Sequence, residues 1–92
     1  MVNEEIRNRI RIAVAAWAYE YANDPIMDDF EYDELSYKID LSKKTGNELM
    51  DKFFEEEFHP DTGMWIHRHP EKFKLKILYE KYYRDKDKGY IG

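Results

Sequence analysis

The chain has no cysteine. That excludes a disulfide framework and any metal site built on thiolates, and it fits a reducing compartment. Nowhere do about 18 apolar residues run together, so no segment reads as a membrane span. The opening MVNEEIRNRI has no apolar signal core. A soluble, cytoplasmic protein without a membrane partner is the expectation. Internal repeats, low-complexity tracts and interdomain linkers are missing too. The 92 residues therefore predict one domain, 1–92, burying only about 60–65% of the surface its unfolded chain exposes. So small a core must be filled efficiently, and a 16% aromatic share supplies large rings for it.

Charge of one sign is scarce where the other collects. Residues 1–19 carry three Arg and two Glu, whereas residues 20–61 carry 14 acids and 4 Lys, a net of −10. Residues 64–92 reverse this with 8 bases and 4 acids. Both regions fit solvated helix faces. The acidic middle also fits a site for a cationic partner, and the basic end a phosphate-facing patch.

Helical spacing dominates the pattern, and it predicts an all-α bundle of about four helices, at 4–22, 29–40, 46–58 and 70–85. Asn3 is placed to cap the first. Ile6, Ile10, Ala13, Val14, Trp17 and Tyr21 form one apolar face, widened by Ile12, Ala16 and Tyr19. Asn23, Asp24 and Pro25 end it. Asp28 and Glu31 have capping-box spacing for the second helix, and Thr45 with Glu48 for the third. Leu49, Met50, Phe53, Phe54 and Phe58 make the third helix's stripe. HPDTG reads as a turn, and Trp65 and Ile66 close the core. Pro70 suits the first position of the last helix, where Leu75, Leu78, Tyr79 and Tyr82 share a face. GYIG is expected to fray.

Reactive constellations are as scarce as cysteine. Ser36 and Ser42 have no neighbouring base, and no EF-hand spacing exists. His59, His67 and His69 lie close in sequence. An extended segment would put His67 and His69 on one side, yet their spacing matches no established zinc pattern, and no metal site is assigned. His69 reads more simply as the residue leading into the last helix. The tail KYYRDKDKGY mixes bases with aromatic rings as single-strand binders do. Asp85 and Asp87 dilute its charge, so nucleic-acid binding is not the expectation.

What stands out is NDPIMDDFEYD, residues 23–33, with five carboxylates and two rings in eleven positions. With Tyr19 before it and EL after it, this run resembles the N-terminal helical domain, Ia, of bacterial NAD-dependent DNA ligases. Pro25, Met27, Asp29, Glu31, Tyr32 and Asp33 stand in register with that family's pattern, and Tyr19 falls where its tyrosine falls. The resemblance covers residues 5–40, under half the chain. It extends to small phage-encoded proteins similar to this domain, which would place the chain in a host bacterial cytoplasm. In the ligases the domain holds the nicotinamide mononucleotide half of NAD. The resemblance thus implies that Tyr19 and Tyr32 sandwich a nicotinamide ring, that Asp33 accepts from its carboxamide, and that Asp29 bonds ribose hydroxyls. Asp29 and Asp33 are four apart and share a helix face, and a pyridinium between aromatic faces is a favourable cation–π arrangement. Glu20 replaces the family's histidine, which lies toward the phosphate, and an anion there repels phosphate. His69-Pro70-Glu71 echoes a His-Pro-Glu that follows sooner in the ligases, so the third helix would be an insertion here.

No enzyme is expected. Adenylyl transfer needs a K-x-D-G lysine in a large nucleotidyltransferase domain, and the nearest string is Lys86-Asp87-Lys88-Gly89. Two functions remain open, with a zinc-dependent catalyst on the histidines a minor third. One is a non-catalytic binding protein, a phage accessory, with a site at Tyr19, Glu20, Asp29, Tyr32 and Asp33. It would require no cofactor and would take an NMN- or NAD-type nicotinamide nucleotide as ligand. The other is a phage-encoded inhibitor acting on a host protein, of anti-restriction or anti-CRISPR type. Its acidic face, with Asp29, Asp51, Glu55 and Glu56, would imitate the charge of DNA.

Overall fold

The computed structural model describes residues 3–60 and 62–84. All regular structure in them is helical. Helix α1 spans Asn3–Tyr21, α2 Asp29–Lys38, α3 Glu48–Glu57 and α4 Lys72–Tyr79. A 3-10 turn, Met64–Arg68, precedes α4, and a π-helical turn, Glu80–Arg84, follows it. Residue 85 of the expected fourth helix, the string at 86–89 and the terminal GYIG lie outside the described residues. No helix among those described is long and apolar enough to cross a membrane.

Helix α1 already contains Asn3 in its first turn, so Asn3 does not precede the helix as a cap. Ile12, Ala13, Val14, Ala15 and Ala16 are consecutive and all buried, as is Ala18. Consecutive positions point in every direction round a helix, so the middle of α1 is enclosed rather than laid down on one face. The four alanines keep this segment thin, and α2, the 3-10 turn and α4 pack around it. Tyr21, expected inside, is exposed; its ring stacks on Trp17 and meets His67 edge-on.

The cap of α2 forms as the Asp28–Glu31 spacing predicts. The Asp28 carboxylate accepts the Glu31 N–H at 2.8 Å, and the Glu31 carboxylate accepts the Asp28 N–H at 3.4 Å. The helix stops at Lys38, short of residue 40, because Asp40 has other partners. Its N–H donates to Glu5 Oε2 at 2.9 Å and its carbonyl accepts from Arg9 at 2.8 Å.

The expected Thr45–Glu48 capping box does not form. Asn47 caps α3 instead, accepting the Met50 N–H at 3.1 Å. The Thr45 hydroxyl donates to Asp51 at 2.6 Å, since a buried carboxylate is a stronger acceptor than the alternatives. Gly46, at φ +89°, makes the intervening turn without a side-chain clash. The rings of Phe53, Phe54 and Phe58 converge on Trp65, with centroids 5.9, 5.7 and 5.1 Å away. Leu49 lies off this stripe and is exposed.

Helix α4 begins at Lys72, two residues past Pro70, because Glu71 at φ −127°, ψ 48° is not helical. Tyr79 is buried and donates its hydroxyl hydrogen bond to the Asp24 carboxylate, tying α4 to the turn after α1. Tyr82, expected on the same face, is 50% exposed. The π-helical turn beginning at Glu80 shifts the register and rotates Tyr82 off the core stripe.

Arg9 holds the other side of the domain together. It is fully buried, with 0% of its surface accessible. Its guanidinium donates to Glu5 at 2.8 Å, to Asp51 at 3.0 Å, and to the carbonyls of Asp40 and Lys43 at 2.8 and 3.0 Å. It also sits 5.3 Å from the Phe54 ring centroid. One side chain thereby fixes α1, the 40–45 connection and α3 against each other. Burial pushes the Asp51 carboxyl up, but the Thr45 hydroxyl and N–H, with Arg9, outweigh it and hold the group below the ordinary carboxylate value.

Candidate ligand-binding site

The site begins with the way α1 ends. Asn23 adopts a left-handed backbone at φ 52°, a conformation asparagine tolerates better than most residues. The N–H groups of Ala22 and Asp24 both donate to the Ala18 carbonyl at 3.0 Å, which closes the helix. The chain then turns back, and Pro25, Ile26 and Met27 run beside α1 before α2 starts. Between them lies a cavity of about 430 Å³, within the range of small-molecule sites.

All five residues expected at the site line this one cavity. Tyr19 and Glu20 come from α1, and Asp29, Tyr32 and Asp33 from α2. Ala15, Ala16, Ile26 and Met27 supply apolar wall, while Thr62 and Gly63 complete the lining beside the Tyr32 hydroxyl. Tyr19 is 63% exposed and stands at the rim. Tyr32 is half-buried and fixed: its hydroxyl donates to the Thr62 carbonyl at 3.2 Å, which also accepts the Trp65 indole N–H at 2.7 Å. Burial, with the Asp33 and Glu20 carboxylates adding to it, pushes the Tyr32 phenol up to about 12, so it remains a neutral donor. A Cβ added at Gly63 would lie 3.4 Å from that hydroxyl and 3.6 Å from Ala16 Cβ, so the loop backbone rests directly on the helices.

Glu20 is engaged. Its Oε1 lies 2.9 Å from His67 Nε2, and His67 Nδ1 lies 2.7 Å from the Tyr21 hydroxyl. A carboxylate only accepts, so Nε2 carries the proton in the neutral ring and Nδ1 accepts from Tyr21. The bonds tie the end of α1 to the 3-10 turn. Asp29 and Asp33, by contrast, have no ion-pair partner among the described residues.

The histidines do not gather. The segment holding His67 is a 3-10 turn rather than extended, so the alternation that would align His67 with His69 does not apply. His69 leads into α4, its Nδ1 accepting the Glu71 N–H at 2.9 Å. Burial lowers its pKa to about 4. Among the described residues no group of three His, Asp or Glu is arranged to hold a metal ion.

Sequence reasoning missed the far wall. Thr62 lies 30 residues from Tyr32, with Gly63 next to it, and the HPDTG turn signal gives no hint of which helix it will meet. His67 was visible only as a histidine, without its partners. Comparison of the chain with protein-family models, curated proteins and solved structures returned no match.

Proposed function

We propose that this protein is a non-catalytic binding module for a nicotinamide-type ligand, seated between α1, α2 and the 62–63 loop. The observation that carries this reading is the convergence of Tyr19, Glu20, Asp29, Tyr32 and Asp33 on one cavity. Tyr19 and Tyr32 offer aromatic surface to a ring, and Asp33 an acceptor for a carboxamide N–H. Asp29, the first residue of α2, would bond ribose hydroxyls. These roles follow the resemblance to the ligase domain. No bond-making step is assigned, because no nucleophile is paired with a base among the cavity's described lining residues.

The test is an NMR titration of the whole chain with nicotinamide riboside, NMN and NAD, alongside thermal melts. Shifts concentrated at residues 15–33 and 62–63 are expected, with a higher melting temperature. A ligand at 100 times its Kd adds about 2.7 kcal/mol. Tyr19→Ala, at an exposed rim position, should remove the shift without unfolding the protein. Absence of any perturbation at millimolar ligand refutes the reading.

The alternative, an acidic inhibitor of a host protein, draws less support. Of its four named carboxylates, Asp51 is sealed against Arg9 and Glu55 pairs with Lys44 at 2.6 Å. Half of that face is already occupied.

A further inference from the structure

Charge pairing divides the molecule unevenly. Glu5 and Asp51 share Arg9, Glu55 has Lys44, Glu57 has Arg68, and Glu71 has Lys74, all within 2.6–3.0 Å. Exposed carboxylates such as Glu34, Glu48 and Glu56 have no ion-pair partner among the described residues, and the cavity between α1 and α2 brings two more of this kind together with aromatic rings. It is walled by two tyrosines and three carboxylates, and none of its described lining residues is Lys, Arg or His. Glu20 has His67 outside the lining. Asp29 and Asp33 lie one turn apart on α2, repel each other, and have no ion-pair partner among the described residues. Both carboxylates are exposed at the cavity's edge, and a void of about 430 Å³ with aromatic walls and negative charge at its rim is a setting that attracts a cationic ring.

We propose that the cavity selects its ligand by positive charge: it takes a flat, monocationic ring and disfavours the same ring carrying phosphate. This deepens the reading above and rests on it for the identity of the ring. A phosphate adds about −1.5 to −2 of charge and would face Glu20, Asp29 and Asp33 with no basic side chain in the lining to receive it. The neighbouring cavity, which shares Thr62, is lined by Arg68, His59 and His67; the guanidinium already holds Glu57 at 3.0 Å and His67 already meets Glu20 at 2.9 Å. Nicotinamide riboside therefore fits the cavity better than NMN or NAD.

Affinities of the whole chain for three compounds decide the matter. Oxidised nicotinamide riboside should bind about tenfold tighter, or more, than its reduced form, which has nearly the same shape without the charge. It should also outbind NMN, and its affinity should fall as salt rises from about 0.05 to about 0.5 M. Asp29→Asn with Asp33→Asn should erase the preference for the oxidised form. Equal or tighter binding of reduced riboside, or tighter binding of NMN, overturns the proposal while leaving a nicotinamide module standing. If no nicotinamide compound binds, the functional reading fails, and 1-methylpyridinium against toluene, of equal shape, tests charge selection alone. Perturbation of Tyr19 and Asp33 by the cation only sustains it; equal perturbation, or none, overturns it.

Discussion

Around Arg9, on the N-terminal half of α1, three charged side chains, Glu5, Arg9 and Asp51, are buried and paired with one another. Around Tyr19, on the C-terminal half, carboxylates surround a void and two of them have no counter-ion among the described residues. The two regions are about 15 Å apart along one helix, in a domain with little core to spare. The first arrangement spends its polar groups on the fold: five contacts from Arg9 hold three segments in register. The second leaves Asp29 and Asp33 without an ion-pair partner among the described residues, at the cost of local repulsion. The pairing around Arg9 serves structure; under the proposal above, the unpaired carboxylates at the cavity would serve recognition.

The sharpest way to break this comparison is to remove Arg9. Arg9→Ala leaves Glu5 and Asp51 buried without a counter-ion and withdraws the donors to the Asp40 and Lys43 carbonyls. Breaking a buried pair from one side costs about 3–5 kcal/mol, which is much of the stability of a domain this size. Urea unfolding followed by circular dichroism should show that loss, or no folded baseline at all. A loss below about 1 kcal/mol would mean the cluster is relaxed and wet, and the contrast with the cavity would vanish.

The helices and the α2 cap were legible because they depend on neighbours within four residues. Asp28 and Glu31 meet wherever a helix starts there. Arg9 was not legible. Arg7, Arg9 and Arg11 alternate in sequence, and only the structure shows that 7 and 11 are exposed while 9 points inward to an aspartate 42 residues away. For the same reason Asp51 looked like part of an acidic surface, and Thr45 looked like a cap. The five residues named from the ligase resemblance, which reaches residue 40, line one cavity. Its far wall, Thr62 and Gly63, lies beyond that reach.

His69 sharpens the comparison through pH, because it lies beside Arg9 in a second, smaller cavity. Its folded pKa, about 4, is depressed from 6.5 by burial, with Lys72 adding and Glu71 opposing. A base with a lowered folded pKa is favoured neutral, so the unfolded chain binds more protons between those values. Stability from this ring is complete above about pH 6.5 and is lost as pH falls toward 4. A loss of about 1–2 kcal/mol is expected, allowing for partial exposure. His69→Asn keeps an acceptor for the Glu71 N–H and removes the titration. Denaturation midpoints at pH 7, 5.5 and 4 should therefore separate the two proteins. Parallel acid sensitivity in both would assign the loss to other groups.

The smallest expected effect bears most directly on the cavity. Asp29 and Asp33 are like charges at i, i+4, a pairing that destabilises a helix by about 0.2–0.5 kcal/mol. Asp33→Asn keeps the shape and removes the repulsion, so the unliganded protein should gain about that much. Asp29→Asn should gain nothing, because Asp29 is the first residue of α2 and its charge also favours the helix N-terminus by about 0.3–1 kcal/mol. With nicotinamide riboside present the order should invert, the wild-type chain now being more stable than Asp33→Asn. Such an inversion separates a carboxylate kept for recognition from one kept for the fold, since removing any partner of Arg9 can only destabilise. If Asp33→Asn instead costs more than about 1 kcal/mol without ligand, the carboxylate has a structural partner, and the distinction between the two ends of α1 falls with it.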